Sequence, residues 1–157
     1  MSVTVSIDIG SLVSDIKVKS FMNTQRIADA DQRYAVRAAE ENEAETHQCL
    51  QDAWSAMVSL CRKFLSRTTD TAGNDTLGST WTGSRTLTFD VTYRRTSNFA
   101  QPLAQAAHEF LLAGTLRRFY TSAAMNDLAA SYAANEKAAA DRITAIIYTK
   151  DEPIYTP

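Results

Sequence analysis

The sequence predicts a mainly α fold, a helical bundle of three to five helices carrying a small β-strand or hairpin extension. Three observations carry that prediction. Glycine and proline, which break helices, are confined to Gly10, a cluster at Gly73, Gly78 and Gly83, and isolated positions at Pro102, Gly114, Pro153 and Pro157. Apolar residues recur at helical spacing in the long stretches between them. Two short segments alternate apolar and polar residues instead, the period of a half-buried strand.

The first element is one of these strands. Val3, Val5, Ile7 and Ile9 alternate with Thr4, Ser6 and Asp8 and stop at Gly10. Residues 11–23 fit two patterns: Ile16, Val18 and Ser20 alternate with Lys17 and Lys19, whereas Leu12, Ile16 and Lys19 suit a helix capped by Ser11 or Ser14. The helix is favoured. A short helix over about 32–41 precedes a longer one, predicted over 43–66, whose stripe is Leu50, Ala53, Trp54, Met57, Val58, Cys61, Phe64 and Leu65. Glu40, Glu41, Glu43 and Glu45 lie near its start and Arg62, Lys63 and Arg67 near its end, the polarity that suits a helix dipole.

Residues 68–84 are rich in Thr, Ser, Gly, Asn and Asp and read as an exposed loop. A strand follows at 86–95, where Leu87, Phe89, Val91 and Tyr93 alternate with threonines and Asp90. Because a strand needs a partner, it must pair with 3–9, with 77–82, or with another subunit. The reading favoured here is a projecting extension over about 68–95 that packs on another subunit, with Trp81 near its tip. Pro102 then opens a helix over 102–121 with apolar residues on two faces, the mark of a central bundle helix. A short break leads to a last helix over 124–147, with Leu128, Tyr132, Ala139, Ile143, Ile146 and Ile147 facing inward. Residues 148–157 are expected to form an extended C-terminal tail.

With 157 residues the chain suits a single domain, 1–157, able to bury a core without disulfides or metal. Hydrophobic residues at 45% and charged residues at 22% exclude wholesale disorder. A net charge of −2 gives no electrostatic reason to expect nucleic-acid recognition. The start lacks the basic and apolar regions of a signal peptide, and the longest apolar run, 110–116, falls well short of the ~18 residues of a membrane span. Cys49 and Cys61 are ~18 Å apart along one helix, too far for a bridge.

Catalytic motifs are missing. His108-Glu109 opens like a zinc-protease helix, but the second histidine would fall at Leu112. His47 and Cys49 have no further ligand nearby. The glycines match neither a P-loop nor a dinucleotide fingerprint, and no nucleophile elbow occurs. Both cysteines lie on or beside the apolar stripe, where packing explains them better than nucleophilic chemistry. The expectation is no catalytic residue, no metal site, no cofactor and no enzyme activity. The basic pairs Arg94-Arg95 and Arg117-Arg118 read as solvated ends of elements or as salt bridges to a partner. Apolar residues placed outside any core pattern are the better functional signal: Trp81 in the loop, and Ile154 and Tyr155 after Pro153. The candidate partner-binding residues are therefore Trp81, Arg94, Arg95, Tyr148, Ile154 and Tyr155.

The stretch Pro102-Leu103-Ala104-Gln105-Ala106-Ala107, running to Leu116-Arg117-Arg118-Phe119-Tyr120, is followed by a helix holding Ser131-Tyr132-Ala133-Ala134 and Ile143-Thr144-Ala145-Ile146. This pattern resembles the head-to-tail connector (adaptor) proteins of long-tailed bacteriophages, particularly the Mu-like type. The order of a long helix, loop, strand and two further helices is similar as well, while the N-terminal strand and the Thr/Gly/Ser insertion depart from the family. The resemblance implies a structural virion protein of the phage neck, forming a homo-oligomeric ring, twelve-fold in the family, beneath the portal. Its partners would be itself, the portal protein and the next neck or tail protein. DNA would pass through the channel without sequence recognition, and no membrane would be involved. Two other readings stay open: a tail-terminator or other neck protein, and a cytosolic helical binding or regulatory module.

Overall fold

The computed structural model describes residues 2–25, 42–66, 81–90 and 99–148. Within them lie β1 (Ser2–Asp8), α1 (Ile9–Thr24), α2 (Glu43–Cys61), β2 (Ser84–Asp90), α3 (Ala100–Ser122) and α4 (Asn126–Tyr148). The architecture is a mainly helical bundle with a small two-stranded antiparallel sheet on it. The short helix expected over about 32–41 lies outside the described residues.

β1 passes into α1 with no linker. The Asp8 side chain caps the helix, accepting from the Ser11 amide at 3.0 Å, while the Gly83 carbonyl accepts from the amides of Ile9 and Gly10 at 2.9 and 3.2 Å. The cap is therefore Asp8 rather than Ser11 or Ser14, because the strand delivers its last carboxylate to the orphan amides of the first turn.

β2 pairs with β1 in antiparallel register, Val3 opposite Phe89, Val5 opposite Leu87 and Ser2 opposite Asp90. Its other edge is taken by the chain just after α2: the Ser66 amide donates to Thr88 O and the Asp90 amide to Phe64 O, both at 2.8 Å. Leu87 and Phe89 are buried in the same core as Val3, Val5 and Ile7. This corrects the expectation of a projecting hairpin that pairs with another subunit. Over 81–90 the chain is bound to its own core, because β1 supplies a matching apolar face and residues 64–66 fill the second edge. The rest of the 68–95 segment lies outside the described residues. The same pairing explains why α2 stops at Cys61 instead of running to 66: Phe64 and Ser66 spend their backbone groups on β2.

α3 is the central helix. Leu103, Ala107, Phe110, Leu111 and Gly114 are buried on one side, Leu116, Phe119 and Tyr120 on the other, and α3 packs against β1, α1, α2 and α4. It ends in a reverse turn in which the Met125 amide returns to Tyr120 O at 2.9 Å and the Ala124 amide to Thr121 O at 3.2 Å. Ala124 takes the left-handed φ of 57° that this cap demands and that glycine usually supplies. α4 then runs back along α3, burying Ala129, Ala139, Ile143 and Ile147.

Candidate functional site

The polar chemistry of the bundle is used to fasten helices together. Arg117 and Arg118, on α3, both reach Glu136 on α4, Arg118 at 3.1 Å, and the carboxylate is only 13% exposed. That basic pair is thus an internal clamp rather than a solvated end or a contact for a partner. Gly114 makes it possible: a Cβ there would stand 3.0 Å from both the Arg118 guanidinium and the Glu136 carboxylate, and 3.3 Å from Ala53 Cβ. Arg142 and Glu109 form a second bridge between the two helices.

α1 is fastened by an amide near its end and a carboxylate near its middle. Its Asn23 side-chain amide donates to Tyr132 Oη at 2.7 Å and Tyr120 Oη at 3.3 Å, and Asp15 meets His108 at 2.8 Å. Burial pushes the Tyr120 phenol above its usual range, so it stays a hydrogen-bonding hydroxyl. Between α1, α3 and α4 lies a groove of about 480 Å³, walled by Lys19 and Asn23 on one side and by Asn135 and Arg142 on the other.

The thiols are quiet. Burial raises Cys49 to about 11, helped by Glu45 and Asp52, and raises Cys61 to about 12. Neither supplies a thiolate nucleophile at neutral pH. His47 lies flat on Trp81, ring centroids 3.8 Å apart, and burial holds its pKa below the usual value. Among the described residues no three His, Cys, Asp or Glu side chains gather in a metal-ligating group. No described helix is long and apolar enough to cross a membrane.

Of the residues singled out as partner-binding, Trp81 is partly buried against the core and stacked on His47. Its loop composition suggested exposure, but α2 brings an aromatic partner to it. Tyr148 closes α4, 56% exposed, with its ring edge-on to Phe64 at 5.0 Å. Arg94, Arg95, Ile154 and Tyr155 lie outside the described residues.

The surface that sequence reasoning missed is on α1. In its first half the helix is ordinary: Ile9, Leu12 and Ile16 are buried while Ser11, Ser14 and Asp15 are exposed. In its last two turns the polarity inverts. Ser20 and Thr24 are fully buried, whereas Val18, Phe21 and Met22 are 54%, 46% and 59% exposed. The buried polar pair is provided for, since Thr24 Oγ1 donates to Phe21 O at 2.9 Å and Ser20 bonds to Tyr120. Val18, Phe21 and Met22, spaced i, i+3 and i+4, form one outward apolar ridge flanked by Lys17 and Lys19. The signal was present as the double pattern of 11–23, which reflects a helix apolar on both sides.

A scan against protein-family models, a search of curated proteins and a search of solved structures each find no match to this chain.

Proposed function

We propose that the chain is a structural assembly subunit without catalytic function, a head-to-tail connector (adaptor) that forms a ring beneath the portal in a phage neck. The observation that carries the assembly part is the inverted end of α1. Leaving Val18 and Met22 more than half exposed while Ser20 and Thr24 are buried forgoes part of the ~25 cal/mol per Å² that burial of apolar surface supplies. An outward ridge of this kind suits a contact with another protein surface. The connector part rests on the resemblance of 102–147 to that family. The charge balance supports it too: a chain of net charge −2 offers DNA no strong phosphate grip, which suits a channel that must let it slide.

The test is the mass of the purified chain by sedimentation velocity across concentrations, with electron microscopy of the chain mixed with purified portal rings of the same phage. The proposal expects rings, or decoration of the portal by a ring of this chain. A monomer at every concentration that leaves the portal bare rejects it. The groove beside Lys19 and Asn23 would then favour a small-ligand regulatory module, and neighbouring genes other than portal, capsid and tail would point the same way.

A further inference from the structure

The groove between α1, α3 and α4 has two chemically different ends. α4 runs back along α3, so Arg142, bridged to Glu109, marks one end, and Tyr132, bonded to Asn23, marks the other. Arg142 and Tyr132 lie about 15 Å apart along α4. Between them the floor is apolar, made of Leu112 and Ala113 of α3 and Ala139 of α4. Lys19 stands on the α1 wall, one turn before Asn23 on the same face. Both ends have bonding capacity left. At the first, Arg142 meets Glu109 through Nη1 and keeps further N–H donors, and Lys19 has no ion-pair partner among the described residues. Lys19 and Arg142 set against Glu109 leave one positive charge in the groove uncompensated. At the other end, the Asn23 amide nitrogen donates to the Tyr132 hydroxyl oxygen. Among the described residues this leaves the Tyr132 hydroxyl proton without an acceptor and the Asn23 carbonyl oxygen without a donor.

We propose that this groove binds a small aromatic carboxylate that carries a hydroxyl at its far end. The carboxylate lies between Lys19 and Arg142, the ring covers Leu112 and Ala139, and the far hydroxyl exchanges hydrogen bonds with Asn23 and Tyr132. A carboxylate suits the first end because its single charge matches the single excess charge, and its two oxygens can accept from both cations. A phosphate dianion would set a second negative charge beside Glu109. A rigid ring suits the middle, since it covers apolar surface with little conformational freedom to lose. The volume of about 480 Å³ lies within the range of small-molecule sites, about 300–1,000 Å³. Such a ligand bridges α1 to α4 alongside the Asn23–Tyr132 bond, so its binding steadies the last two turns of α1. This binding is independent of what the chain assembles with.

The probe is para-hydroxyphenylpropionate, titrated into the isotope-labelled full chain and followed by NMR. The side-chain amide signals of Asn23 and Asn135, on facing walls, should shift together and saturate with a Kd of about 1 mM. Hydrogen exchange over 20–24 should slow at saturating probe while α2 is unchanged. The methyl ester, which lacks the charge, should bind at least about tenfold more weakly. Phenylpropionate, which lacks the hydroxyl, should bind about threefold more weakly. Lys19→Gln and Arg142→Gln should each weaken the acid about tenfold and leave the ester alone. Far-UV circular dichroism checks each variant, and the exposed Lys19 decides the matter if loss of the Arg142–Glu109 bridge loosens the fold. No saturable shift by about 20 mM probe, an ester or a phenylpropionate that binds as well as the hydroxy acid, or unchanged affinity in Lys19→Gln overturns the proposal.

Discussion

α4 and α1 both lean on the central helix α3, and they are held by opposite means. α4 buries Ile143 and Ile147 fully, sits close at Gly114, and is locked by Glu136 between two arginines. α1 buries Leu12 and Ile16 near its start, but its last two turns are held to α3 and α4 by one hydroxyl and one amide, Ser20 and Asn23, while their apolar side chains face outward. The difference teaches that the bundle is closed along α3–α4, whereas on the outer face of α1 Val18 and Met22 stay more than half exposed. Stability should be concentrated in the first contact and assembly in the second.

The largest effect should come from emptying the α3–α4 seam. Ile143→Ala removes a fully buried side chain from a stretch where helices on both sides resist collapse. A loss of about 3 kcal/mol is expected, read by urea unfolding with an unchanged m-value. A loss under about 1 kcal/mol would mean the seam is plastic and the contrast with α1 is overstated.

Next comes the polar fastening of α1. Asn23→Ala removes the donor shared by Tyr120 and Tyr132. Because the Tyr120 hydroxyl keeps Ser20 as a partner, the cost should be about 1 kcal/mol, well below that of Ile143→Ala. Hydrogen exchange should show α1 opening more often while α3 and α4 stay protected. Equal loss of protection in all three helices would show that α1 is an integral part of the seam.

The turn between α3 and α4 offers a change in the other direction. Ala124 sits at φ 57°, where a Cβ meets the carbonyl that follows it. Ala124→Gly should relieve this strain and raise stability by about 0.5–1 kcal/mol, even after the glycine's greater freedom in the unfolded chain is counted. A thermal melt measures it, and a lower midpoint would show that the alanine methyl has packing value in the turn.

These contrasts also mark what was legible in the sequence. α2, α3 and α4 could be placed from periodicity because their apolar stripes are buried, and the alternation in β1 and β2 likewise matched the faces that pair. The partner of β2 was not legible, since alternation fixes a face but not a neighbour. The packing of Trp81 on its own chain was not legible for a related reason: its surroundings in sequence are Gly, Ser and Thr, and only the fold brings His47 beneath it. Periodicity reasoning also assumes that apolar positions face in. At Val18, Phe21 and Met22 they face out, so a helix with two apolar sides looked like an ambiguous element instead of a core face backed by a surface.

The smallest effect on stability should carry the largest effect on assembly. Val18→Ser combined with Met22→Ser replaces two side chains that are more than half exposed in the monomer. Among the described residues they lie outside the buried core, and serine costs only a few tenths of a kcal/mol in helix propensity at each position. Stability of the monomer should therefore change by no more than about 0.5 kcal/mol per site, the usual range for surface substitutions away from special features. If the ridge is what other subunits or the portal bury, the same pair removes the apolar anchor of that contact, and ring formation or portal decoration should disappear. A matched control, Ser11→Ala with Ser14→Ala on the polar outer half of α1, should leave both properties alone. A double serine variant that unfolds with Ile143→Ala would place Val18 and Met22 in the core after all, and one that is stable and still assembles would move the contact away from α1.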